Sequence, residues 1–184
     1  MNRPAILILL FWVVLSLAQG CKPDFTAESN VVSTMLGVLK KVESTSNEVD
    51  VRLVKQYLKD VKEKCTKIQA EMTDTIGIED AQILVNFCAL NEHFQSCLDR
   101  KELIDSEIVD TRNQLYDLHT DLKERRADKD SVNNYIEGEF LYVESLDEGA
   151  ERVVAELNGC FETYSELKEE IDRLLISLPS KVEE

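Results

Sequence analysis

Apolar residues recur along this chain at intervals of three and four, and the most regular run lies near its end. Val143, Leu146, Ala150, Val153, Leu157, Cys160, Tyr164, Leu167, Ile171, Leu174 and Leu178 step alternately by three and four. A strict seven-residue repeat is the seam of a coiled coil or helix bundle, and it predicts a helix over 131–178. Three earlier segments carry helical stripes. The first, 26–42, aligns Val32, Met35, Leu36, Leu39 and Val42. The second, 48–73, aligns Val54, Leu58, Val61, Cys65, Ile68 and Met72. The third, 80–125, is apolar over a wide arc from Ala81 to Leu98. It then narrows to Ile104, Ile108, Leu115, Leu118 and Leu122, with Thr111 interrupting.

The joints are polar. ESTSNEVD separates the first two segments, with Asn47 as the expected N-cap and Asp50 in the first turn that follows. TDTIGI separates the second and third, and ERRADKDS the third and fourth. Between Gly77 and Gly138 there is no glycine or proline in 60 residues. Short strands and turns need those residues, and long helices exclude them.

The first 20 residues stand apart from this pattern. Arg3 precedes an apolar run from Ala5 to Ala18, and Ala18-Gln19-Gly20 has the small residues that a signal peptidase favours. The run falls short of the roughly 20 residues of a membrane-spanning helix. Residues 1–20 therefore read as a secretory signal peptide, and 21–184 as one helical domain. Removing the leader takes away the only tryptophan, Trp12. It also takes one of 21 basic residues, leaving 20 against 36 acidic ones, a formal charge of −16. So acidic a surface repels nucleic acid and anionic membranes, which excludes both as expected partners.

Five cysteines in a secreted chain raise the question of pairing. Cys88 and Cys97 lie nine residues apart on one predicted helix. Their sulfurs point to opposite faces about 13.5 Å apart along the axis, too far for a disulfide or a shared metal. Each needs a partner on another helix. In an antiparallel hairpin, facing positions share a midpoint in the loop. Cys65 and Cys88 centre within TDTIGI, and Cys97 and Cys160 within ERRADKDS, so the expected disulfides are Cys65–Cys88 and Cys97–Cys160. Cys21 is left unpaired or intermolecular.

These pairings predict an all-α fold: a disulfide-stapled antiparallel four-helix bundle from which a long helical hairpin, a two-stranded coiled coil, projects. The first two helices would fold back on each other and cover only half of the hairpin. A helix broken near Asp99 to Glu102 would give a more compact bundle instead.

The chain offers no catalytic, cofactor-binding or metal-ligating motif. Its two histidines, His93 and His119, read as surface or boundary residues. One local departure from the acidic surface is KERRADK, where Lys123, Arg125, Arg126 and Lys129 either compensate a helix dipole or meet a partner. The expected function is that of a secreted, non-enzymatic protein, binding an extracellular protein or itself. The alternative is a carrier of small apolar ligands such as fatty acids, held under the wide apolar arc.

Overall fold

The computed structural model describes residues 24–71 and 77–177, and all of its regular structure is helical. Helix α1 spans Thr26–Ser46, α2 Val51–Glu71, α3 Ile78–Lys123 and α4 Val132–Ser177. The proposed leader and Cys21 lie outside the described residues. Helices α3 and α4 have 46 residues each, or roughly 70 Å at 1.5 Å per residue. Helix α3 runs unbroken through Asp99 to Glu102.

Helices α3 and α4 pack along each other in opposite directions. Arg173 of α4 reaches Asp80 at one end, Glu156 meets Arg100 midway, and Tyr142 meets Glu107 further along. The buried seam of α4 holds Val143, Leu146, Ala150, Val153, Leu157, Cys160, Tyr164 and Ile171 of the repeat expected from the sequence, and it extends back to Val132 and Ile136.

The placement of α1 differs from expectation. It does not fold back on α2; it packs on α3 and α4, and so does α2. Ser29 of α1 meets His119, Glu43 meets Arg112, and Ser46 meets Asp105, running antiparallel to α3. Helix α2 continues the same course, with Tyr57 on Phe94 and Cys65 bonded to Cys88. The two short helices thus lie end to end as one interrupted rod, and three helices are packed together along the hairpin. The bare two-stranded projection is replaced by a three-stranded one, and no four-helix layer forms among the described residues. The reason is visible in the stripe. Val32, Met35, Leu39, Val42, Ser46 and Val49 are buried, then Val54, Val61, Cys65 and Ile68. Only one step, from Val49 to Val54, is five residues long, and the break at 47–50 absorbs the extra residue. The apolar face leaves α1 and enters α2 pointing the same way.

Asp50, rather than Asn47, caps α2: its carboxylate accepts the Leu53 amide at 3.0 Å. At the joint Lys101 is buried on the α3 seam. Its Nζ lies 2.7 Å from Asp105 and 3.4 Å from Ser46 Oγ, and Ser46 donates to Asp105 at 2.6 Å.

If α1 covers the outer half of the hairpin, that half has a true core. Leu115 and Met35 are fully buried there. Leu115→Ala and Met35→Ala should each cost about 2–5 kcal/mol in denaturant unfolding. Costs below about 1 kcal/mol would mean that α1 does not seal this half.

Candidate functional site

Three groups of residues singled out by the sequence can now be placed. Cys65 and Cys88 are joined, with Cα atoms 5.9 Å apart and a sequence separation of 23. By loop entropy such a bond stabilises the fold by about 3 kcal/mol. It ties α2 to α3 beside an aromatic cluster in which Tyr57 packs edge-on against Phe161 and Tyr164, and Phe87 and Phe94 tilt against them. The wide apolar arc of α3 is therefore filled by rings from α2 and α4, with Phe87 and Phe94 fully buried.

Cys97 and Cys160 differ from expectation. Both are buried on facing helices and line one cleft, but they are free thiols in this structure and the expected disulfide is not formed. The hairpin arithmetic brings the right residues together. The Cys97 sulfur, however, lies against an ion pair, 3.4 Å from the Arg100 guanidinium and 3.9 Å from the Glu156 carboxylate. Burial pushes both thiols up, Cys160 to about 11, with Cys97 and Glu156 adding to the effect on Cys160. A thiol so held is a poor nucleophile at neutral pH. Arg100 holds the Glu156 carboxyl below the usual carboxylate range. The cleft is open and shallow, about 570 Å³, and its rim includes Asn86, Ala89, His93, Gly159 and Thr163. His93, read from the sequence as a surface or boundary residue, is exposed and stands at this cleft. His119 sits elsewhere, its Nδ1 3.2 Å from Ser29 Oγ, and burial followed by Lys123 lowers its pKa. Among the described residues no group of three His, Cys, Asp or Glu side chains can hold a metal ion.

The four basic residues of KERRADK are not brought together into one surface. Lys123 closes the last turn of α3, where its charge suits the helix dipole. Arg126 is engaged by Asp121 and Glu124, both at 2.8 Å. Arg125 and Lys123 border a small cleft with Asp24, Thr26 and Ser29 at the start of α1. Lys129 is exposed in the loop. Arg125 also has φ 56°. Around it the Arg126 amide reaches the Asp121 carbonyl at 2.8 Å and the Arg125 amide the Leu122 carbonyl at 3.1 Å, a Schellman cap. Glycine is the residue that this left-handed position favours.

A feature that the sequence reading missed is the side of the hairpin turned away from α1. Tyr135 and Tyr142 are 46% and 41% exposed there, on the outer half. The available signals were the seven-residue spacing of Tyr135 and Tyr142 and the absence of any Lys or Arg from Ser131 to Glu151.

Two outcomes follow. Arg125→Gly should raise thermal stability by about 1 kcal/mol, read from the melting temperature, since it relieves a left-handed non-glycine residue. The thiols give a pH dependence. A group whose folded pKa is raised contributes stability below its unfolded value, and that contribution is lost as pH rises through the folded value. With Cys97 and Cys160 reduced, stability should therefore fall between about pH 9 and 11. The Cys160→Ala variant should show a smaller fall in denaturant melts. An equal alkaline slope in that variant would remove Cys160 as its source. No family model, curated protein or solved structure matches the chain.

Proposed function

We propose that this chain is a secreted, non-enzymatic helical protein that acts by binding an extracellular protein partner or by self-association. The observation that carries the reading is the uncovered outer face of the α3–α4 hairpin, which presents Tyr135 and Tyr142 at 46% and 41% exposure. Tyrosine is enriched where proteins meet, because its ring buries area at little entropic cost and its hydroxyl keeps a polar partner. A rigid antiparallel hairpin is a suitable platform, since side chains on helices are displayed more accurately than on loops.

Secretion is supported by the leader-like first 20 residues and agrees with the Cys65–Cys88 bond. Among the described residues no helix is long and apolar enough to cross a membrane. In the same compartment Cys97 and Cys160, which line one open cleft, would close to a second staple by exchange with a donor disulfide. Cys21 then remains for an intermolecular bond.

The test is the state of the secreted protein in its own fluid. Mass in solution, measured with and without reductant, should show either a dimer or a monomer that chemical cross-linking joins to one reproducible partner through the outer half of α3 and α4. Disulfide mapping of the same sample should give Cys65–Cys88 and Cys97–Cys160. A strict monomer with no cross-linked partner, yielding a bound lipid on organic extraction, would sink the reading in favour of a carrier.

A further inference from the structure

The outer groove between α3 and α4 has two unlike walls. On α4 stand Tyr135 and Tyr142, 46% and 41% exposed and two helical turns apart. On α3 stand Glu107, Asp110 and Asp117. The Tyr142 hydroxyl donates to Glu107 across the groove. That bond, with burial and the nearby Glu139 and Asp110, pushes the Tyr142 phenol up to about 12. Tyr135 is raised by burial, by Glu139 one turn on, and by Asp117 across from it. Gly138, between the two tyrosines, leaves open space where a side chain would begin. One oxygen of Glu139 is buried without a hydrogen-bond partner among the described residues.

This groove is not the one that α1 fills. On α3, Arg112 faces Glu43 of α1, and Glu107 lies five residues earlier, about 140° around the helix. On α4, Phe140 shares a cleft with Met35 and Val38 of α1, and Tyr142 lies about 160° around from Phe140. Its charge is of one sign. From Glu102 to Asp121 the only basic residue is Arg112, which is turned to α1. From Ser131 to Glu151 there is none.

We propose that this acidic, tyrosine-walled groove docks a lysine- and arginine-bearing segment of an extracellular partner protein. The inference rests on the binding reading above and names its surface and the chemistry of its partner. Guanidinium and ammonium groups stack over half-exposed tyrosine rings, while the flanking carboxylates accept charge-assisted hydrogen bonds. Glu107, already fixed by Tyr142, is held in place before the partner arrives, which lowers the ordering cost of binding. A second copy of the chain is the weaker occupant. Its α2 does expose Arg52, Lys55, Lys59, Lys62 and Lys67, but the charge of −16 opposes close approach of two copies.

The probe is an amphipathic helical peptide of arginine, leucine and alanine, titrated into the full-length secreted chain by calorimetry at physiological salt. Amide NMR shifts of the labelled protein locate the site. Binding should perturb residues around 107–117 and 135–142. Replacing both tyrosines (Tyr135→Ala with Tyr142→Ala) should weaken it about tenfold. Both side chains are half exposed, so circular dichroism should stay unchanged. Neutralising Glu107→Gln and Asp110→Asn should weaken binding and flatten its salt dependence. Neutralising Glu162, Glu166 and Glu169 to glutamine, on exposed positions of α4 far from the groove, should change affinity less than twofold.

Diffuse attraction to an acidic protein predicts a different pattern. The distant variant would then cost as much as the groove variants, and the tyrosine variant would bind like the parent. Either result overturns the groove assignment, as does an absence of peptide binding, while cross-linking to a partner elsewhere would leave the broader binding reading intact. Loss of both the peptide signal and any cross-linked partner would remove the two together.

Discussion

Two 46-residue helices cannot bury their apolar stripes on each other alone, and this constraint shapes the molecule. A helix facing one neighbour covers a narrow strip, whereas α3 carries a wide arc in its first half and a continuous seam to its end. Water must be excluded along roughly 70 Å. The chain meets the requirement by laying α1 and α2 in line, so that a third row of side chains closes the seam from Phe25 to Ile68. The aromatic cluster and the Cys65–Cys88 bond secure one half. The polar links Ser29–His119, Glu43–Arg112 and Lys41 with Asp147 and Glu151 flank the other.

Much of this was legible in the chain. The α4 repeat predicted its helix and its buried face, and the absence of glycine and proline predicted the length of α3. The shared midpoint of Cys65 and Cys88 predicted their bond because only six residues separate the two helices, which leaves little freedom of register. The path of α1 was not legible. A polar run such as ESTSNEVD can turn a chain back or merely interrupt a helix, and its composition is the same in both cases. What separates the two is the phase of the stripe across the break. The five-residue step from Val49 to Val54 preserves that phase, but its meaning depends on what the rod rests against.

The outer groove was hidden for a different reason. In a chain with 36 acidic residues, carboxylates on helical faces carry little information. Glu107, Asp110 and Asp117 become distinctive only when Tyr135 and Tyr142 are set opposite them, and that juxtaposition depends on the register of α3 against α4. Cys97 and Cys160 show how far register reasoning reaches. It names the facing residues, while the Arg100–Glu156 pair beside Cys97 is a local contact with no trace in the spacing.

Seams built on a seven-residue repeat share a weakness: sliding one helix by a heptad, roughly 10 Å, returns similar side chains to similar places. The buried Lys101 removes that degeneracy. In the observed alignment its ammonium finds Ser46 and Asp105. After a slip of one heptad Leu39 would stand where Ser46 does, and Lys101 would lose its partner across the seam. The Asp105 contact lies on the same helix and survives the slip, so the loss is one hydrogen bond to a charged group, about 1.5–3 kcal/mol. The lysine works as an index pin, setting which of several near-equivalent alignments the rod adopts, and so which residues come to lie at the tip.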